Sequence, residues 1–432
     1  MELEIHSTAS LYCIKQALWW LSAPSTKHGT RTFGTKHAYR ATSGMRFVFF
    51  ATLLCPSASY GLLSRRGFLS AVATAESAAA ATAKSPISSA QQRGTTVEMA
   101  ANHAIGEVDV SGTRVPVALW YPKGVSPSVG EARGAYSYVI DIGGIARNFR
   151  VGWLLGWLPR KEFSLQPSGS IYEEPSPSSS AAQKPGDAII FTHGFLGSPL
   201  DMSHVCEALA ERGFTVAAPE FPESLCASFK NPDGISRAEI VAATRELVDG
   251  GRGVRWGLFG HSAGAGTTLK QPGTYSLGRC ALCPGYRGYD EADPLLVIAS
   301  EGDAVNQLLV SNGVDVQENL RAEAEAGRET RMYTQASDVY AEKSPPQRGA
   351  LIYKDGGVLP AGASQLPNHI SFLWTGVDEA MIELLSPFLP VAKALRLFVL
   401  DFDTYLEARD AEVTAADVAP AVLRFFAANS RR

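Results

Sequence analysis

Trp256-Gly257-Leu258-Phe259-Gly260-His261-Ser262-Ala263-Gly264-Ala265-Gly266 reads as an apolar strand that turns sharply into a helix, with a serine at the apex. Gly260, Gly264 and Gly266 remove side chains where such a turn is tightest and where the new helix must approach the sheet. The pattern G-x-S-x-G is that of a nucleophile elbow, which exposes a serine hydroxyl at the carboxyl edge of a parallel sheet. The following helix aims its N-terminus at the site and favours a developing oxyanion there. A glycine-rich turn with an ordinary serine is the blander reading. The strand before and the helix after favour the elbow.

The chain upstream supplies the sheet that an elbow needs. Asp187–Thr192 is a continuous apolar run, as for a strand covered on both faces. His193-Gly194-Phe195-Leu196-Gly197-Ser198 follows as a loop. Leu200–Arg212 has helical periodicity, with Met202, Val205, Leu209 and Ala210 inward, and stops at Gly213. Phe214–Pro219 is the next strand, which completes a β-α-β unit. Ile235–Leu247 reads as the helix leading into the elbow strand. This order of strand, oxyanion loop, helix, strand, helix and elbow predicts an α/β-hydrolase fold: a mostly parallel central sheet with helices on both faces.

Further out the signals are weaker. Val108–Tyr121 alternates and reads as an antiparallel hairpin turning at Ser111-Gly112. Tyr136–Ile142 is a second candidate strand. Ile145–Leu158 is unusually apolar, with Trp153 and Trp157 among arginines. A core or lid helix and a lipid-facing flap over 149–158 fit it equally. Residues 164–186 are rich in Ser, Pro and Gly and read as a disordered surface insertion. Past the elbow, Gly278–Leu282, Leu295–Ser300 and Ala350–Tyr353 are strands. Residues 304–346 read as a charged helical excursion. The tail from Asp378 reads as helices, with Pro420 in the first turn of the last one and Val422, Leu423 and Phe426 on one apolar face.

The 432 residues are 45% hydrophobic, enough for a large core, and the formal charge is −4. With no basic stripe interleaved with aromatics, the sequence argues against a nucleic-acid partner. Residues 1–95 read as an address, and 96–432 as one catalytic domain. Met45-Arg46 opens a short apolar run, Phe47–Leu54, ending in Ser57-Ala58-Ser59, too short to span a membrane. Ser64-Arg65-Arg66-Gly67-Phe68-Leu69 looks like a twin-arginine signal. The tandem resembles the plastid leaders of algae with complex plastids, and implies a plastid location with the thylakoid lumen as its finer form. Either Met1 or Met45 starts the chain on this reading. Of six cysteines, Cys280-x-x-Cys283 has redox or metal spacing but no second pair beside it. It reads as buried thiols, with a disulfide as the alternative in an oxidising compartment.

A serine hydroxyl needs a base, and the base an orienting acid. In this fold the chain order is Ser, then Asp or Glu, then His. Of eight histidines only His369 follows Ser262. It lies in a turn-rich loop after the last strand. Asp303, just past Leu295–Ser300, is the favoured acid because Gly302 permits a turn that re-aims its side chain. Glu301 is the competitor. The oxyanion donors are expected to be the backbone N–H groups of Phe195 and Ala263. His193 and His261 read as structural buttresses. This chemistry needs no metal or organic cofactor.

His193-Gly194-Phe195, Ala208-x3-Arg212-Gly213-Phe214-Thr215-Val216-Ala217-Ala218-Pro219 and Gly260-His261-Ser262-x-Gly264 resemble the chlorophyllases. More loosely, the chain is similar to secreted platelet-activating-factor acetylhydrolases and dienelactone-hydrolase relatives. Val115–Pro122 and Asn368–Phe372 extend the likeness, which covers roughly 105–428. Land-plant chlorophyllases carry Arg after the nucleophile, in G-H-S-R-G-G; here Ala263 and Ala265 stand instead. The resemblance implies hydrolysis of chlorophyll to chlorophyllide and phytol, or of another lipophilic ester to its acid and alcohol. Three alternatives stand beside it. One is a lipase or phospholipid acetylhydrolase at a membrane surface. Another is a non-catalytic pigment- or lipid-binding protein of the same fold. The third is a dienelactone-type hydrolase, a family that typically uses cysteine where Ser262 stands.

Overall fold

The computed structural model describes residues 101–125, 130–133, 135–148, 156, 160–168, 186–231, 234–251, 253–289, 292–311, 313–328, 330–341, 346–385 and 410–431. The leader, the flap over 149–158 (Gly156 apart) and most of the Ser/Pro-rich insertion lie outside these residues.

β1 (Asn102–Val110) and β2 (Thr113–Tyr121) pair antiparallel through a two-residue turn. Both turn residues, Ser111 and Gly112, have positive φ, the geometry whose twist matches the flanking strands. β3 (Glu131–Arg133) adds to β1. β4 (Tyr136–Asp141) leads into α1 (Ile142–Asn148) and pairs antiparallel with β5 (Arg160–Leu165) as a separate two-stranded sheet. The disordered insertion expected from residue 164 therefore starts too early. Leu165 and Ser168 are buried, and Ser168 Oγ donates to Glu207 Oε2 at 2.6 Å.

The central strands come next: β6 (Asp187–Thr192), α2 (Ser203–Glu211), β7 (Thr215–Pro219), α3 (Arg237–Asp249), β8 (Arg255–His261), α4 (Ala263–Lys270), β9 (Gly278–Leu282) and β10 (Leu295–Ser300). Then follow α5 (Ala304–Ser311), α6 (Val316–Glu325), β11 (Arg331–Tyr333), β12 (Arg348–Tyr353), α7 (Thr375–Leu385) and α8 (Ala411–Ser430). The ten-stranded sheet runs β11-β12-β10-β9-β8-β6-β7-β2-β1-β3. Every pairing from β11 to β7 is parallel, and the three from β7 to β3 are antiparallel. With Ser262 at the carboxyl end of β8, this is the α/β-hydrolase arrangement expected from the sequence.

β6 shows how both faces are filled. Ile189 and Phe191 enter the core containing Val205 and Leu209 of α2 and Phe425 and Phe426 of α8. Ala188 and Ile190 enter the opposite core with Ile240, Val241 and Val248 of α3. Each such fully buried side chain contributes about 1.5–3 kcal/mol of transfer free energy. α8 presses closely on the sheet because Gly257 has no side chain. A Cβ there would lie 2.6 Å from the Phe426 ring.

Two expectations need correction. The excursion over 304–346 is not wholly helical, since β11 forms the sheet edge beside β12. Its three residues are too few to leave a periodic signal. Pro420 is not in a first turn: α8 starts at Ala411, and Pro420 lies inside it. The sheet-facing residues on both sides of Pro420, from Ala411 and Ala415 through Val422 and Phe426, hold one continuous apolar face and override the local signal. No helix among the described residues is long and apolar enough to cross a membrane.

Candidate active site

Ser262 sits between β8 and α4 with φ 57° and ψ −120°. A non-glycine residue rarely adopts this backbone, and it persists only where its surroundings over-determine it. Here they do. Ser262 N donates to Leu282 O at 2.9 Å, extending the β8–β9 ladder by one rung, and Ser262 O accepts from Gly266 N at 3.2 Å. The turn leaves no room at Gly264, where a Cβ would collide with the Thr192 carbonyl. Thr192 Oγ1 lies 2.9 Å from Gly264 O and 3.2 Å from Phe259 O, pinning β6 to both sides of the elbow. Ala263 is the first residue of α4, so its N–H has no acceptor within the helix.

The loop after β6 lies against the serine. A Cβ on Gly194 would come 3.3 Å from Ser262 Cβ. His193 is buried and holds this loop with both ring nitrogens. Phe221 N donates to Nε2 at 3.0 Å, so the proton is on Nδ1, which donates to Gly194 O at 2.8 Å. Burial, and then the Arg237 charge, lower the His193 pKa well below its ordinary value, so the ring is neutral. Phe195 is 53% exposed, an unusual position for a large aromatic side chain.

His369 opens a short 3-10 turn capped by Asn368. Its Nδ1 lies 2.9 Å from Asp303 Oδ2. Asp303 Oδ1 accepts from Val305 N at 2.8 Å and Asn306 N at 3.2 Å, at the start of α5. Burial raises the Asp303 pKa, but the His369 charge and the bonds from His369, Asn306 and Cys283 outweigh it. The carboxyl is held below its usual range. Glu301 is engaged elsewhere, accepting from Gln317 Nε2 at 2.8 Å and Asp355 N at 2.9 Å. The structure thus brings Asp303, not Glu301, to His369. Gly302 lies in the expected turn, which Asp303 N closes by donating to Ser300 O at 3.3 Å, and it does so without positive φ. Its backbone also approaches the histidine loop so closely that a Cβ would lie 2.7 Å from Leu366 Cβ.

The His369 loop is tied to the elbow. His261, the residue before Ser262, donates from Nε2 to His369 O at 3.0 Å, and the two rings lie 4.7 Å apart. Burial and then the His369 charge push the His261 pKa down to about 3, so it serves as a neutral tether. Ser300 Oγ donates to Pro367 O at 2.7 Å, and Trp374 N donates to Asp201 O at 2.8 Å.

His261, Cys283 and His369 each offer a metal-ligand atom within 4.8 Å of the others, the one such cluster among the described residues. His369 Nδ1 and His261 Nε2 are already engaged, with Asp303 and with His369 O, which leaves one nitrogen on each ring. Cys206, Cys226, Cys280 and Cys283 are all free thiols, so the buried-thiol reading of Cys280 and Cys283 holds.

Sequence reasoning missed Arg237, Thr192 and Asp201. Ser236-x-x-Glu239 does read as a capping box, and it places Arg237 at the start of a helix. Nothing in that pattern says where its side chain reaches.

No family model matches the chain, and no curated protein matches it. Solved structures do. The chain is similar to an α/β serine hydrolase without lid from Xanthomonas campestris, at 14% identity over 67% of this chain and 94% of that one, with a TM-score of 0.32. It is similar to a ferulic acid esterase from Streptomyces cinnamoneus, at 15% identity over 73% and 94%, with a TM-score of 0.33. It is also similar to a putative dienelactone hydrolase from Klebsiella pneumoniae, at 12% identity over 68% and 99%, with a TM-score of 0.31.

Proposed function

We propose that the protein is a serine carboxylester hydrolase working through Ser262, His369 and Asp303. The observation that carries this reading is the buried Asp303–His369 pair, tethered through His261 to a serine in the strained elbow conformation. Asp303 accepts from Nδ1–H and leaves His369 Nε2 to take a proton. Ser262 Oγ attacks the ester carbonyl as His369 removes its proton. The carbonyl oxygen becomes an oxyanion met by the N–H groups of Ala263 and Phe195, each such donor being worth about 3 kcal/mol of transition-state stabilisation. His369 then protonates the departing alcohol. Water, deprotonated by the same imidazole, releases the acid and restores Ser262.

The finer reading is that the ester is chlorophyll and the products are chlorophyllide and phytol. Three features support it: the resemblance of the His193-Gly194-Phe195 and Gly260–Gly264 segments to chlorophyllases, the plastid-like leader, and the exposed Phe195 that follows Gly194 in the loop against the serine. An exposed apolar ring on that loop suits a long-chain alcohol. On the same reading the protein works in a plastid, and the apolar segment 149–158 meets the membrane that holds the pigment.

The full chain and its Ser262→Ala variant are incubated with chlorophyll a in detergent micelles and, separately, with a p-nitrophenyl ester. Chlorophyllide from the parent alone supports the whole reading. Cleavage of the p-nitrophenyl ester without chlorophyllide keeps the esterase and removes chlorophyll, in favour of the lipid-esterase reading. Failure on both, with no labelling of Ser262 by an organophosphate, removes the enzyme and favours a binding protein.

A further inference from the structure

Arg237 is the first residue of α3, and its side chain is only 15% exposed. Nη1 donates to His193 O at 2.8 Å and to Thr267 Oγ1 at 3.3 Å. Nη2 donates to Gly194 O at 3.2 Å. Nε donates to Glu223 Oε1 at 2.6 Å, and the guanidinium carbon sits 4.2 Å from the centre of the Phe221 ring. One rigid fork therefore joins the loop after β6, the helix that starts behind Ser262 and the segment after β7.

Gly194 O and the Phe195 N–H belong to the same peptide unit. That unit is planar and trans, so its C=O and N–H point in opposite directions. Whatever holds the carbonyl also aims the N–H. Three donors converge on Gly194 O: His193 Nδ1, Arg237 Nη2 and Gly197 N. Two of them come from the loop itself. Arg237 alone reaches in from another element, and alone brings a full charge. A cation on the carbonyl oxygen polarises the peptide and makes its N–H a better donor. The contact with Thr267 fixes this peptide relative to α4, the helix that carries the second donor, Ala263.

We infer that Arg237 is a positioning residue for the oxyanion hole, holding the Gly194–Phe195 peptide so that its N–H meets the charge developing on the substrate at Ser262. This assignment rests on the serine-hydrolase reading. A different role is open to the same side chain, that of a structural partner for Glu223. The two roles differ in what they do to the transition state.

The test uses the full chain as parent, Arg237→Gln, Arg237→Lys, Glu223→Gln and Arg245→Gln, the last on the same helix but directed at Trp256 and Tyr275. Measurements are kcat and KM on p-nitrophenyl butyrate, inhibition by a trifluoromethyl ketone that forms an oxyanion on the serine, and melting temperature. Arg237→Gln is expected to lower kcat about 10²–10³-fold, the loss typical of an oxyanion donor, with KM within about threefold. Trifluoromethyl ketone affinity should fall by a similar factor. Arg237→Lys keeps the charge but not the fork, so kcat should still fall at least about 10-fold while the melting temperature stays near the parent's. Glu223→Gln and Arg245→Gln should retain kcat within about threefold. A folded Arg237→Lys with the parent's kcat and inhibitor affinity would overturn the assignment. So would equal losses of kcat in Arg237→Gln and Glu223→Gln that follow melting temperature. A parent inactive on every ester and unlabelled by an organophosphate removes the serine-hydrolase reading, and this assignment with it.

Discussion

Asp303 Oδ2 and His369 Nδ1 lie 2.9 Å apart in a site where both side chains are buried. The carboxylate accepts, so the imidazole carries its proton on Nδ1 and offers Nε2 as the base. An amide at residue 303 can donate to Nδ1 instead, which puts the ring proton on the wrong nitrogen. Asp303→Asn should therefore keep the fold and lower kcat about 10³–10⁴-fold on a p-nitrophenyl ester at neutral pH. A Glu301→Gln variant should stay within a few-fold of the parent. Equal losses in both would reopen the identity of the acid.

The same pair makes a stability prediction. The folded Asp303 pKa lies below its ordinary value, so the folded state prefers the ionised form. That contribution is present above about pH 4, the carboxylate range of an unfolded chain, and is lost as pH falls through the folded value. Relative to Asp303→Asn, the parent should lose stability below about pH 4, as read by urea unfolding at pH 3 to 6.

Gly264 predicts a fold-level failure. Its missing side chain lets the first turn of α4 rest on the Thr192 and His193 carbonyls. Gly264→Ala should destabilise the protein by several kcal/mol or prevent folding, because the backbone of β6 cannot move aside without breaking its pairing with β8. Ala265→Gly, one residue along the same helix, should cost about 1 kcal/mol. Melting temperatures of the two variants check this, and a Gly264→Ala protein as stable as the parent would refute the packing argument.

Two parts of the site are legible, one from a local signature and one from the chain order of the residues. The elbow announced itself because a strand, a bare turn and a helix each impose composition on consecutive residues. His369 followed by elimination, being the single histidine after Ser262. Asp303, not Glu301, meets His369 beyond the turn that Gly302 permits, and the close approach of Gly302 to Leu366 adds a constraint that no local pattern carries. What stayed hidden is long-range. Arg237 acts 43 residues from Gly194, and Trp374 N reaches Asp201 O across a comparable gap in space and a far larger one in sequence. Such contacts depend on where elements land after packing, and they leave no period or motif. Pro420 misled because local propensity points to a helix start, whereas burial along α8 decides the outcome.

Asp201 supplies a pH dependence of the opposite sign. Its carboxyl is buried under the loop after β6, near Ser198 and 3.4 Å from Tyr138 Oη. Burial pushes its pKa up to about 7, and the hydrogen bonds from Ser198 and Tyr138 only partly offset this. Asp378 of α7 faces the same interior with neither carboxylate oxygen hydrogen-bonded, and burial followed by the Asp201 charge raises its pKa as well. Both groups bind protons more tightly in the folded state. Their contribution to stability is thus greatest below about pH 4, falls as pH rises towards about 7, and then levels for Asp201. Asp378→Asn should remove a buried acid whose ionisation the fold disfavours, and so stabilise the protein at pH 8 by about 1–3 kcal/mol, with little effect at pH 4. Unfolding curves at the two pH values test it. A variant less stable than the parent at pH 8 would mean that Asp378 is ionised and partnered.

Pro420 gives a prediction of stabilisation. Within α8 it removes the bond that residue 420 would donate to Ala416 O, and its ring crowds that carbonyl. The neighbours Val418, Ala419, Ala421 and Val422 are buried, so the helix is held by packing despite the lost bond. Pro420→Ala restores the bond with a residue of high helix propensity, and the position is only half-buried, so little apolar contact is given up. The variant should gain about 1–3 kcal/mol, visible as a rise in melting temperature, with kcat on a p-nitrophenyl ester unchanged. A loss of stability would show that Pro420 limits the unfolded chain or shapes a bend that the sheet contacts of Phe425 and Phe426 require.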